Sequence, residues 1–312
     1  MDLRQLRYFV GIVDSGSLTK ASRLLCIAQP ALSQQLSKLE AEVGRMLLHR
    51  SARGVAPTGN GLALYHHARF MLRQQEQALT IARQDGGELR GMVSLGLPAT
   101  TLHAMGLPLV RQVRSLHPGV LLNVVEGTAG SLAQMMRQGE LDLAVQFDLD
   151  AFPQGRAVAL LDEELFLLLP EASDLVGPAR ETLTLEEVAR LPLILPTGSH
   201  GLRRRVGAEF DRRGLVANVV AEIDSFTLLM DCVRDGLGAT LQPMSAVSQA
   251  GRTAPGWRAL RIADVRISRR NYLSTARQED APRAAVAVAS ALRDVAAALV
   301  RSGQWQGATL PS

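Results

Sequence analysis

"CIAQPALSQQLSKLEAEVG", residues 26–44, decides how the chain is read. Leu32, Leu36 and Leu39 recur at i, i+4 and i+7, and Val43 extends the stripe, the spacing of a helix with one apolar side. Pro30 suits the first turn, where no N–H is needed, and Gly44 suits the close. At about 100° per residue, Pro30, Ser33, Gln34 and Ser37 fall opposite the leucines, with Lys38 at the margin. An ordinary outer face would be rich in lysine and glutamate. Short hydroxyls and carboxamides match the edges of base pairs instead: Gln can bond the N6/N7 edge of adenine in two places, and Ser can donate or accept.

Working outward, Asp2 can cap a helix with Leu3, Leu6, Val10 and Val13 inside and Phe9 beside them. "DSGS" breaks it, and Ser17 caps a second helix, Leu18–Leu25, with Leu18, Ala21, Leu24 and Leu25 inward. After a break at Cys26–Ile27 the third helix starts near Gln29. Two short helices joined by a tight turn are a helix-turn-helix. On the other side, "LLHRSARGVAPTGNG" (47–61) suits two short strands, a wing that would bring Arg50 and Arg53 to phosphates. Thr58 can cap the next helix. Residues 1–60 hold 8 Lys/Arg against 4 Asp/Glu, the whole of the chain's +4 formal excess, so an anionic partner belongs at this end.

Residues 59–86 contain no proline. Leu64, Ala68, Met71, Gln75, Ala78 and Ala82, with Leu72 and Leu79 alongside, form a narrow seam on a long helix suited to pairing with a second copy. The plainer alternative is packing within its own chain. His66–His67 lies on this helix and reads as surface. "QDGGELRG" ends it as a hinge.

From Met92 strands and helices alternate: "MVSLGLP", "VLLNVVEG" and "LDLAVQF" are strands separated by helices, a pattern that favours a parallel sheet. "ELFLLLP", "PLILP", "VANVVAEI" and "GATLQP" form a second series. "RNYLSTA" and an Ala-rich helix, about 281–300, close the chain with Val286, Ala289, Leu292 and Val295 on one side. Two such units imply a cleft, and ligands of open α/β sheets bind beyond the carboxyl ends of the strands. Those ends are Pro98–Thr101, Gly127–Thr128, Phe147–Asp148, Pro196–His200 and Gln242–Pro243. Thr100, Thr101, Thr128, Thr197 and Ser199, with Phe147 and His200, are candidates for holding a small anion; each hydroxyl could equally be a helix cap. The arginine run at 203–205 reads as a solvated helix face.

The run "GSLTKASRLLCIAQPALSQQLSKLEAEVGRMLLHR", with "GVAPTGNG" after it, resembles the winged helix-turn-helix of LysR-type transcriptional regulators, and "IAQPALSQQ" with "GVAPT" is closest to their nitrogen-assimilation control (Nac) branch. The resemblance implies an α/β protein: a winged helix-turn-helix DNA-binding domain (1–58), a dimerising linker helix and hinge (59–88), and an effector domain similar to periplasmic binding proteins (89–312). Within the last, subdomain I takes about 91–161 and 266–300 and subdomain II about 162–265. It implies DNA contacts at Gln29, Pro30, Ser33, Gln34, Arg50 and Arg53, to which the helix face adds Ser37 and Lys38. Its implied partners are double-stranded promoter half-sites, a homodimer or homotetramer, RNA polymerase and a small-molecule co-inducer. The Nac branch also works without a co-inducer, and that alternative stays open. Three positions depart from the family's habit: Ala28 where Ser or Thr is common, Gln34 where Arg is common, and Leu48 where Phe is common.

Other classes are disfavoured. No G-x-S-x-G, H-E-x-x-H or Walker loop occurs, and His103 and His200 have no catalytic partner at a recognisable spacing, so neither an enzyme nor a cofactor is expected. Cys26 and Cys232 lie far apart and read as buried thiols rather than a disulfide or metal site. No apolar run reaches the ~18 residues of a spanning helix, and the amphipathic start is not a signal peptide; a cytoplasmic location is expected. The competing reading is a small-molecule-binding protein with no role on DNA.

Overall fold

The computed structural model describes residues 1–51, 54–82, 89–147, 156–198, 200–249, 252–253, 255–276 and 281–311. Asp2 opens α1 (Leu3–Ser15) with a reciprocal cap: its side chain accepts from Gln5 N, and the Gln5 side chain accepts from Asp2 N. Ser17 caps α2 (Leu18–Leu24), and α3 (Gln29–Val43) ends on Gly44 in the left-handed region at φ +70°. Phe9, Ile12, Ala21, Leu32, Leu36 and Leu39 share one core with Leu47 and Leu48. Leu3, Leu24 and Val43 are not part of it, being 38%, 76% and 40% exposed. The inward stripe of α1 runs through Leu6, Phe9 and Ile12, and Leu24 and Val43 sit at helix ends beyond the core. Cys26 is exposed too, since the turn into α3 runs through it at φ +53°.

β1 (Leu48–Ser51) and β2 (Gly54–Pro57) form the antiparallel wing, with Arg50 opposite Val55. The buried Glu40 of α3 accepts from Leu47 N at 2.8 Å and Leu48 N at 3.3 Å, tying that helix to the wing. Thr58 caps α4 (Gly59–Ala82) by accepting from Gly61 N at 2.9 Å. At Gly61 the helix meets the wing so closely that a Cβ would fall 1.9 Å from the Leu47 carbonyl oxygen, so only glycine fits. Tyr65 of α4 donates to Asp14 of α1. Further along, α4 rests on the second part of the chain. His66 Nδ1 lies 2.8 Å from Glu140, Arg73 donates to the Glu140 carbonyl and lies 3.8 Å from Asp142, and the Phe70 ring covers Gly139. His67 is exposed, whereas His66 is half-buried by this contact.

The rest is mixed α/β. β3 (Gly91–Leu97), α5 (Ala99–Leu116), β4 (Val120–Glu126), α6 (Ala129–Arg137) and β5 (Leu143–Gln146) form the first lobe. β6 (Arg156–Pro170) leads to β7 (Thr182–Leu183), α7 (Leu185–Arg190), β8 (Leu193–Leu195), α8 (Gly201–Arg212), β9 (Val219–Glu222), α9 (Phe226–Arg234) and β10 (Thr240–Pro243) of the second. After a 3-10 turn at Met244–Val247 come β11 (Ser248–Gln249), β12 (Arg252–Thr253), β13 (Trp257–Ile262), β14 (Ser268–Thr275), α10 (Arg283–Arg301) and β15 (Ala308–Thr309). β3 pairs in parallel with β4 and β5, as the alternating pattern predicts. β14, however, runs antiparallel to β5 and β6, so the sheet is mixed. The 15-residue β6 carries both lobes: its first half pairs with β14 and its second with β10 and β13. The Trp257–Ile262 strand and the first half of β6 are absent from the sequence reading. Val286, expected inside, is 54% exposed, because α10 turns Ala285, Val288, Leu292 and Val295 to the core.

Where β6 passes between the lobes, Glu163 is 1% exposed. It pairs with Arg269 of β14 at 2.8 Å and accepts from Asn271, Trp305 and Ser245. Burial opposes its charge, but Arg269 and those donors outweigh burial and hold the carboxyl below the usual range. A depressed folded-state pKa gives stability that is complete above the unfolded glutamate value of about 4.3 and is lost as pH falls through the folded value. Glu163→Gln is therefore expected to destabilise the two lobes at pH 7 by about 3–5 kcal/mol, seen as a lowered thermal midpoint. The gap to wild type should close on acidification in melts run from pH 7 to pH 3. Separately, Glu40→Ala strands two buried N–H groups and should destabilise the N-terminal module by about 1–3 kcal/mol, visible in the urea transition of the full chain.

Candidate DNA-binding face and effector cleft

α3 begins after Ala28, which supplies no side-chain cap, and Pro30 sits in its first turn. Leu32, Leu36 and Leu39 are buried, and this fixes the opposite face outward. Gln29, Pro30, Gln34, Ser37 and Lys38 are exposed and Ser33 is half-buried. Gln29 Oε1 accepts from Thr19 of α2 at 3.1 Å. The Ser33 hydroxyl accepts from Arg50 at 3.4 Å, which brings the wing beside the helix. Arg53 lies outside the described residues. The result is a face of hydroxyls and carboxamides flanked by the cations Lys38 and Arg50. Such a face can enter a major groove, with the carboxamides at base edges and the cations at phosphates.

The second site lies where the strands of both lobes end. A cavity of about 590 Å3 is bordered by the first turns of α6 (Thr128 to Gly130) and α8 (His200 to Leu202), by Phe147, by Arg204, Arg205 and Arg269, and by the carboxylate of Asp224. A smaller one of about 300 Å3 adjoins it and adds Thr100, Gln242 and Phe226. Thr128 and His200 cap their helices, accepting from Ser131 N and Leu202 N at 3.2 Å each. The positive ends of two helix dipoles therefore meet one space. Burial lowers the pKa of His200; Asp224 opposes this, and Arg269 and Arg204 reinforce it. The imidazole is then neutral near pH 7, and because Nδ1 accepts, Nε2 carries the proton.

Arg269 organises the floor. Besides Glu163 it donates to Thr100 Oγ1 at 2.7 Å and stacks on Phe147, with the guanidinium carbon 3.8 Å from the ring centroid. Of the residues named from sequence, Thr100, Thr128, Phe147 and His200 line the cleft. Thr101 does not: it is fully buried on the core side of the first turn of α5. Thr197 is not among the lining residues either, and its hydroxyl bonds Asp224 at 3.0 Å. Ser199 lies outside the described residues, as does Asp148. His103 packs edge-on against Phe226 at 5.2 Å and borders a different pocket. Arg204 and Arg205, read as a merely solvated face, border the cleft. Arg269 was missed altogether; an arginine within a strand-like run such as "RISRRNYLS" is the signal that could have found it. Among the described residues no three His, Cys, Asp or Glu side chains converge as a metal site requires, and no helix is long and apolar enough to cross a membrane.

Comparison with known proteins covers nearly the whole chain. Residues 3–62 match the family model "Bacterial regulatory helix-turn-helix protein, lysR family", and residues 86–297 match "LysR substrate binding domain". The nitrogen assimilation regulatory protein nac of Klebsiella aerogenes is 42% identical over 83% of this chain and 84% of its own length. Its namesake from Escherichia coli is 38% identical over 82% and 83%. Among solved structures, full-length CbnR complexed with its target DNA aligns with a TM-score of 0.72 at 21% identity, covering 95% of this chain and 100% of that one. OxyR of Corynebacterium glutamicum aligns at 0.57 and 29% identity, covering 96% and 95%. The match runs through the helix-turn-helix and both lobes alike, and the chain belongs to the LysR family of DNA-binding transcriptional regulators.

Proposed function

We propose that α3 is the recognition helix and that this protein reads promoter half-sites as a homodimer or homotetramer paired through α4. The observation that carries the reading is the exposed row Gln29, Pro30, Gln34 and Ser37, backed by three buried leucines, with Ser33 beside Arg50. Gln34 and Ser37 take base edges, Ser33 and Gln29 support them, and Lys38, Arg50 and Arg53 take phosphates. The names of the two nac relatives support a role in nitrogen metabolism. With DNA as its partner, the protein acts in the cytoplasm, as a regulator rather than an enzyme, and communicates with RNA polymerase.

The cleft is the co-inducer site in this reading. Two helix N-termini, Arg205 and the Nε2–H of His200 favour a small anion, such as an organic acid. Thr128, Thr100 and Phe147 shape the pocket. The ligand acts by favouring one arrangement of the oligomer over another.

Selecting bound sequences from a random DNA pool defines the site. On that site Gln34→Ala should cost about 1–3 kcal/mol of specific affinity and relax one base position, while non-specific binding stays unchanged. Arg50→Ala should weaken both modes and reduce the salt slope by about 1. An unchanged sequence preference in Gln34→Ala defeats the assignment. For the cleft, a thermal-shift screen of small organic acids should find one that raises the wild-type midpoint and leaves Arg205→Ala unmoved.

A further inference from the structure

A third cavity, of about 300 Å3, lies away from the cleft at the seam between α4 and the first lobe. One wall is α4, through Phe70 and Gln74. The other is built by Leu141, Leu143 and Leu273 and by Ala285, Val286 and Ala289 around α10. The lining is mostly apolar, and two of its side chains are conspicuous in a folded protein: Val158 is 39% and Val286 54% exposed. Two arginines, Arg156 and Arg293, also border the cavity and are exposed. Neither guanidinium has a hydrogen-bond or ion-pair partner among the described residues. A third cation, Arg73, is engaged by Asp142 and by the Glu140 carbonyl, so these groups contribute no local excess. The charge left over is that of Arg156 and Arg293.

We propose that this seam binds a small amphipathic carboxylate, with its hydrocarbon part against Phe70, Leu143 and Ala289 and its carboxylate at Arg156 and Arg293. The volume is at the lower end of small-molecule pockets. A purely apolar guest leaves both guanidinium groups unused, and a bare inorganic anion leaves the apolar lining without contacts; a molecule with one end of each kind satisfies both. Arginine also suits the fork of a carboxylate. Because the two walls belong to different parts of the chain, such a guest touches both. It stabilises the arrangement in which α4 rests on the lobe, and thereby biases where the DNA-binding module is held. This is a regulatory site separate from the cleft, and it stands whether or not the cleft has a ligand.

The test is calorimetric titration of the full-length protein with octanoate, and with octan-1-ol as the uncharged counterpart. One saturable octanoate site per chain is expected. Arg156→Ala and Arg293→Ala should each weaken octanoate about tenfold and leave octan-1-ol unchanged. Val286→Trp, a substitution at an exposed position on the lip, should abolish binding of both while the melting curve stays that of the wild type. Octanoate should also shift the DNA-binding midpoint in a mobility-shift assay for the wild type and not for Val286→Trp. Absence of saturable octanoate binding, or binding that survives Val286→Trp, overturns the proposal. So does a change of molar mass in Val286→Trp by light scattering without octanoate binding, since a second copy of the chain would then cover the seam.

Discussion

A buried ion pair, Glu163 with Arg269, is the constraint on which the effector lobes depend. Taking two charges out of water is expensive unless the remaining hydrogen-bonding capacity is met. Here Ser245, Asn271 and Trp305 donate to the carboxylate, while Thr100 accepts from the guanidinium and the Phe147 ring stacks on its face. These partners come from the 3-10 turn, β14, the C-terminal segment, the start of α5 and the end of β5. One pair thus gathers five separate pieces of chain at the point where β6 crosses between lobes. It also sets the cleft floor, since Thr100 and Phe147 are held in place by the arginine that lies between them and Glu163.

Much of this was legible in the sequence, for reasons that differ by region. The helix-turn-helix followed from local chemistry: Asp2, Ser17 and Thr58 are caps, Gly44 is a left-handed stop, and the leucine spacing of α3 leaves one polar face. Such signals act within a few residues, so no tertiary information is needed. Errors there fell at helix ends, where Leu3, Leu24 and Val43 follow the periodicity but pass beyond the core they would pack on. The parallel strands β3, β4 and β5 were also legible, being short apolar runs bounded by turns.

The cleft was only half legible. Thr128 and His200 were visible because helix starts at strand ends are marked by capping residues. Arg269 and Glu163 were not, because 106 residues separate them and neither carries a local pattern that announces burial. Thr101 shows the converse limit: adjacent to Thr100, it faces the core because α5 turns it by a third of a revolution. The seam site was invisible for the same reason as the ion pair. Its walls come from residues 70–74, 139–143, 156–158 and 273–293, segments that only the fold brings together.

α4 itself is 24 residues, about 36 Å at 1.5 Å per residue. It is pinned to the wing at Gly61 and propped on the first lobe at His66, Phe70 and Arg73. The props lie 7 to 14 residues into the helix, so α4 is a rod supported near its middle, with an arm of about 18 Å on either side. Tilting such a rod by about 5° about that support carries its wing end by about 1.6 Å. With arms of equal length, a displacement at one end of such a rod returns at the other at the same size and in the opposite sense.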